Sequence, residues 1–525
     1  MSRSFRLWLW YFCLPAFFIV LVYPPKIHGY LNPYDEGLWL GLAQALIEGK
    51  LPYRDVFFHY GPILPWLLRL ALHFFTPTLS SLRWVFWMMN VAGLLIIHVC
   101  LLRVVRIGFL RLALGFSLWC VPLAAHVLTI PMAARYGVPF ASIFCWTFET
   151  TNDRRNGWPI YSGLFAALAF WVSQEVGTAS LLAGLVYFSL SKRPQAARSF
   201  LMGVLSLSFV MALGLGTMGL RAYWQCAISE TATMVFRNTF TLPGWGTDLL
   251  SQAHQGFIPF MAALRPYATT CAAILPTIGY AAVFIWTLCH VLTHRAWDPF
   301  ALALAVYGSL TSLTSWTQPD RWHIYFTLSP AILLWGYSAQ SIHRSPAKTA
   351  AAIGLVVTMS LFLTWPHAYM AWQKERVLLT QTRQSTIERM GISRLPIGQA
   401  DGYEALVQAI AQQVPKNQPF MFYPYDGSIY FLTQRSNPTF FPVLALAVNR
   451  SLQQRLIHDM ERSDVQWIVW DTDDNAFKGI PITTFLASVD EYIKAHFVLT
   501  TSLGPFRFLK RDAGQAALEP STISS

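Results

Sequence analysis

The chain has 525 residues, 54% of them hydrophobic and only 12% charged, with a formal net charge of +12 and a mean hydropathy of +0.40. Soluble globular domains carry about 25% charged residues, so the composition excludes an ordinary soluble enzyme and points to a polytopic α-helical membrane protein. The seven cysteines show no metal-type spacing or disulfide framework, and no Walker, dinucleotide or nucleic-acid-binding pattern is present.

Taken in chain order, the opening SRSFRLWLWYFCLPAFFIVLVYPP joins a short basic head to an apolar body. No small-residue cleavage site follows it, so it reads as a retained first span over 6–23. Ten further apolar runs lie near 82–102, 110–128, 137–150, 157–172, 176–190, 199–219, 267–289, 299–315, 323–341 and 348–366. Several are shorter than the roughly 20 residues a span needs, so eleven is the expected count, good to one or two. With the N-terminus inside, every inner turn is basic: Arg103, Arg106 and Arg111; Arg154 and Arg155; Lys192, Arg193 and Arg198; Arg295; Arg344 and Lys348. This orientation places residues 367–525 on the outer, periplasmic side of the cytoplasmic membrane.

Residues 1–366 contain eleven Asp or Glu, and eight fall in outer connections: Asp35, Glu36, Glu48, Asp55, Glu175, Glu230, Asp248 and Asp320. Glu175 lies within an apolar region, where an ionisable group is costly and a functional candidate by default. The tail has 15 basic and 15 acidic residues, so the net charge belongs to the membrane part. It reads as a soluble α/β domain. Strands are expected at 419–425 and 465–472, helices at 403–414 and 485–497, and a hairpin over 497–511 turning at Gly504-Pro505. The last dozen residues are expected to fray. Asp471, Asp473 and Asp474 lack the spacing of a calcium loop and read as a solvated strand-to-helix turn.

The first outer loop, 24–81, concentrates polar chemistry. DEGLWLGLAQALIEG carries Leu38, Leu42, Ala45 and Leu46 on one helical face and reads as an amphipathic interfacial helix. Its N-terminus favours the ionised carboxylates of Asp35 and Glu36. GPILPWLLRLALHFF reads as a second interfacial helix. Tyr30, Tyr34, Trp39, Tyr53, Phe57, Phe58, Tyr60 and Trp66 suggest an aromatic belt at headgroup level. An ordinary interfacial loop with capping acids accounts for these features about equally well.

The Asp-Glu pair after span one, the helix, GKLPYRD and the Gly61-Pro62 that follows resemble the first outer loop of the GT-C membrane glycosyltransferases. The protein O-mannosyltransferases and the aminoarabinose transferases of lipid A are members. The resemblance covers this loop closely, the span layout of 1–366 generally and the tail loosely. It implies a polyprenyl-phosphate sugar donor, a lipid, glycan or protein acceptor, and inversion at the anomeric carbon on the outer face. It further implies that Asp35 is the base and Glu36 its neighbour, and that Arg83, Arg135 and Arg321 are donor-phosphate ligands. Asp55, His59, Glu175, Asp320 and His323 are substrate or acceptor candidates. Glu175 can equally pair with an arginine. Either no cofactor or a divalent cation on Asp35, Glu36 and Glu175 is compatible with the resemblance. A non-catalytic lipid or glycan transporter on the same scaffold, and a glycan polymerase or ligase, are the competing readings.

Overall fold

Apolar runs free of charge become helices because, without water, only a helix or a closed barrel satisfies every backbone group. The computed structural model describes residues 12–22, 27–125, 130–150, 157–191, 195–231, 256–294, 298–317, 321–340, 346–473, 476–477 and 480–512. The first apolar run is helical over 12–22, ending in the π-helical stretch Phe18–Val22. Then come α1 (Asp35–Ile47), α2 (Ile63–Phe74), α3 (Leu79–Val104), α4 (Gly108–Ala125), α5 (Met132–Thr150) and α6 (Trp158–Val172). They are followed by α7 (Gln174–Leu190), α8 (Ala196–Tyr223), α9 (Phe257–His294), α10 (Pro299–Thr317), α11 (Arg321–Phe326), α12 (Leu328–Gln340) and α13 (Pro346–Thr380). A helix stands wherever a span is expected. By length and composition, Leu79–Val104, Ala196–Thr217, Phe257–Thr287 and Pro346–Thr380 are long and apolar enough to cross a membrane.

The chain sorts into two compact units. The first comprises Met1–Ile27, Arg83–Thr217 and Arg237–Thr380; the second comprises His28–Leu82, Met218–Phe236 and Gln381–Ser525. One passage between them follows Gly216, where α8 is interrupted at φ +65°, a conformation glycine takes without strain. Position 366 lies inside α13, and the first outer loop shares its unit with the tail.

In the first unit the helices approach through small residues, the device that brings apolar helices together where no hydrophobic effect acts between them. A Cβ on Gly163 would fall 2.0 Å from the Phe200 carbonyl oxygen, and one on Gly203 2.2 Å from that of Ile160, so α6 and α8 touch backbone to backbone. Gly137 of α5 lies equally close against Gly93 of α3. Buried hydroxyls are bonded across helices: Ser142 with Ser162 at 2.8 Å, and Tyr187 to the Trp146 carbonyl at 2.9 Å.

The tail opens with β1 (Thr382–Gln384), paired antiparallel with β2 (Arg394–Pro396), and α14 (Ile397–Gln413). Next come β3 (Phe420–Tyr423), α15 (Ser428–Thr433), α16 (Arg450–Arg462) and β4 (Trp467–Asp471). The short pair β5 (Ala476–Phe477) and β6 (Ile480–Pro481) leads into α17 (Ile482–Phe485), α18 (Ala487–His496), β7 (Phe497–Leu503) and β8 (Phe506–Arg511). The four-stranded sheet runs β3-β4-β8-β7, with β3 and β4 parallel (Phe420 opposite Trp467) and the rest antiparallel. The expected strands, helices and hairpin are all present. The turn after Asp471 enters a short strand instead of a helix; Asp474 and the terminal 513–525 lie outside the described residues.

Two expectations for the first outer loop are corrected. Helix α1 is buried from Glu36 through Leu46, on every side, and is not a one-faced interfacial helix. Leu, Ala, Gly and Trp surround its axis, so other chain covers all of it. Trp39, Tyr53, Phe57 and Phe58 are buried core of the second unit, not a belt; Phe57 packs 5.8 Å from Phe440 and Trp39 5.4 Å from Phe58, centroid to centroid. Helix α2 does have two faces, with Leu64, Leu68 and Ala71 buried and Trp66, Leu67, Leu70 and Phe74 exposed.

Candidate active site

The chain enters α1 through an Asx turn. The Asn32 Oδ1 accepts the backbone N–H groups of Tyr34 and Asp35, both at 3.0 Å. Its Nδ2 donates to the Asp35 Oδ2 at 2.6 Å, and its backbone N–H donates to the Glu36 Oε2 at 3.0 Å. One asparagine thus orients both candidate carboxylates. Glu36 is 3% exposed and turned back onto the loop, whereas Asp35 is half-buried at the first turn. The helix N-terminus stabilises negative charge there. Asn32 was not among the expected site residues; Asn before Pro-x-Asp-Glu is a turn-initiating signal that could have found it.

The tail holds this helix in place. Gly37 and Gly41 bring α1 against Gly427 and Pro442: a Cβ on Gly427 would lie 2.6 Å from the Gly37 carbonyl oxygen and 2.4 Å from that of Pro442. The Asp426 carboxylate fixes this turn, accepting from the Ser428 backbone at 2.8 Å, the Ser428 hydroxyl and the buried Tyr403 hydroxyl at 2.7 Å. Burial, and then the Asp426 charge, push the Tyr403 phenol well above its ordinary value, so it stays a donor. Leu31 exchanges two hydrogen bonds with the Gln399 amide, at 2.8 and 2.7 Å. Lys50 bonds the Asn437 carbonyl at 2.9 Å, and Ser436 bonds Glu48 at 2.7 Å.

The other loop candidates make contacts within the loop. Asp55 pairs with the exposed Arg54 at 2.8 Å and accepts the Leu51 N–H at 2.9 Å. The Arg54 hydrogen bond holds its carboxyl below the ordinary value. His59 lies in an aromatic run, 4.0 Å from the Tyr60 ring. Cys226, in the π-helical stretch after α8, donates to the Tyr53 carbonyl at 3.3 Å, and burial pushes its thiol up to about 12.

The remaining candidates belong to the first unit. Arg83 is 1% exposed and donates to the Ile27 carbonyl at 3.0 Å. Arg135, equally buried, donates to the Ser173 hydroxyl at 3.0 Å and pairs with Glu175 at 3.5 Å. Ser173 occupies the extended break between α6 and α7, and Glu175, 40% exposed, stands in the first turn of α7. The arginine pairing expected for Glu175 is thus formed with Arg135. Tyr136, beside Arg135, stacks on Phe326 at 4.9 Å. His323 is buried in α11, which opens at Arg321; Asp320 lies outside the described residues. Among the described residues no group of three His, Cys, Asp or Glu is placed to hold a metal ion.

No protein-family model and no curated protein matches the sequence. Solved structures do match. The oligosaccharyltransferase of Archaeoglobus fulgidus in its apo form aligns over 97% of this chain and 75% of its own, with TM-score 0.53 and 12% identity. The same enzyme tethered to an acceptor peptide containing the NVT sequon aligns over 98% and 76%, with TM-score 0.52 and 13% identity. ArnT from Cupriavidus metallidurans bound to undecaprenyl phosphate aligns over 99% and 100%, with TM-score 0.49 and 12% identity. On the two oligosaccharyltransferase likenesses, each spanning nearly the whole chain, the protein shares the fold of that enzyme.

Proposed function

We propose that the protein is an inverting membrane glycosyltransferase. In this reading it moves a sugar from a polyprenyl-phosphate donor to a lipid, glycan or protein acceptor at the outer face of the cytoplasmic membrane. The observation that carries this is the Asp35 carboxylate, held by Asn32 at 2.6 Å at the N-terminus of a helix packed on all sides. A base that must meet one proton at one place needs such fixing. In the reaction an acceptor hydroxyl or amine loses its proton to Asp35 as its oxygen or nitrogen bonds the anomeric carbon. The carbon–oxygen bond to the lipid phosphate breaks on the opposite face, and the electron pair leaves with the phosphate. The negative charge gathering there calls for cations. Arg321, Arg83 and Arg135 are the candidates for that role. Glu36 orients the loop. The exposed apolar face of α2 suits the membrane interface.

The test compares surface glycolipids and glycoproteins by mass spectrometry in wild-type, deletion and Asp35→Asn strains at matched expression. Loss of the same sugar mass in the last two is expected. If Asp35→Asn matches wild type while the deletion is altered, the carboxylate is structural and the transporter reading replaces this one.

A further inference from the structure

A polar concavity lies wholly within the second unit, at the end of the sheet. It encloses about 200 Å³, below the roughly 300–1,000 Å³ of sites for drug-sized ligands, and its lining includes Tyr30, Pro33, Tyr403, Asp426, Asp471 and Phe506. Three observations give it the character of a site. First, it opens at the carboxyl ends of the parallel strands β3 and β4: Asp471 is the last residue of β4, and Asp426 follows β3 by three positions. In open α/β sheets that is where ligands bind, because the loops leaving parallel strands diverge there. Second, its polar groups are fixed in advance: Asp426 is locked by Ser428 and Tyr403, and Asp471 accepts the Asp473 N–H at 3.0 Å. Third, aromatic rings face it from opposite ends of the chain, Tyr30 at 60% exposure and Phe506 half-exposed.

Carboxylates that accept hydroxyls, with aromatic faces that cover C–H surfaces, are complementary to a sugar ring. No Lys or Arg lines the cavity, while two Asp do, so a uronate or a sugar phosphate is repelled. Resting on the transferase reading above, we infer that this cavity binds one neutral or amino-sugar ring of a glycan-bearing acceptor, beside Pro33 and two residues ahead of Asp35. Asp426, already committed to its turn, is a positioning residue. Asp471 and Tyr30 are the groups that touch the ring.

The test uses the full chain in nanodiscs of zwitterionic lipid and saturation-transfer NMR with three probes: methyl glucoside, glucosamine and methyl glucuronide. Saturation of ring C–H protons is expected for the first two and not for the glucuronide. Losing one charge-assisted hydrogen bond weakens binding by roughly tenfold, so Asp471→Asn should raise the Kd read from the concentration dependence of the signal by about that factor. Tyr30→Ala should do the same, and its exposed position keeps the fold intact. No signal from either expected probe, equal binding of the glucuronide, or undiminished signal in both pocket variants overturns the inference. Pocket variants that lose binding yet keep full sugar transfer in cells overturn the assignment to the acceptor. If Asp35→Asn keeps transfer, the transferase reading falls, and the NMR result still decides whether the cavity binds sugar.

Discussion

At the scale of single residues, Asn32 holds the first turn of α1 in place. Its side chain does what an N-cap does and also bonds the carboxylate proposed as the base. Replacing it by Ala should cost about 1 kcal/mol of stability, the usual cost of a lost cap. Turnover should fall by more than that loss accounts for, because Asp35 is no longer held. Thermal unfolding and single-turnover transfer, measured on the same preparation, separate the two effects. In the first unit, Glu175 shares Arg135 with any phosphate that binds there. Glu175→Gln should therefore tighten binding of undecaprenyl phosphate, while Arg135→Gln should weaken it by about tenfold; titration calorimetry in nanodiscs reads both. The carboxylates and arginines were visible in the sequence as isolated candidates. An arginine was among the partners open to Glu175, but which one was not legible, nor was Ser173 as a partner of Arg135, because the two stand 38 positions apart and hydropathy carries no information about pairing.

At the scale of elements, the contact between α1 and the turn before α15 sets the geometry. Gly427 has no room for a methyl group, with the Pro442 and Gly37 carbonyls inside 3 Å of where it would sit. Overpacking of this kind costs typically 1–3 kcal/mol. Gly427→Ala should lower the melting temperature and also turnover, by shifting the first turn of α1. The existence of α1 was legible from its pattern, but its surroundings were not. A helix of Leu, Ala, Gly and Trp reads alike whether a bilayer or protein covers it, and here protein does. The strands and the hairpin were legible because turn residues bound them, as at Gly504-Pro505.

At the scale of the whole molecule, charge and sidedness are the testable quantities. In a cysteine-free background, a cysteine at Lys416 should react with a membrane-impermeant maleimide in intact cells, and one at Lys192 should not. The reverse pattern would invert the topology read from the basic turns. Acid stability gives a second check. The Arg383 hydrogen bond holds the Glu404 carboxyl at about 2, below its ordinary 4.5. A group depressed in the folded state stabilises above its unfolded value and loses that contribution as pH falls. The difference in melting temperature between wild type and Glu404→Gln should therefore be constant above about pH 5 and vanish between about pH 4.5 and about 2. It should be small, because the pair is partly exposed.

The pairing of Leu31 with Gln399 joins residues 368 positions apart. Ribosomes add about 5–20 residues each second, so roughly 20–75 s pass between the emergence of the two partners. Throughout that interval the helix bearing Asp35 lacks the chain that buries it. The proposed base is thus assembled last although it is translated among the first. A chain halted before its tail should carry every membrane helix and still be inert. On the transferase reading, completion of the tail becomes a condition of activity, imposed by packing.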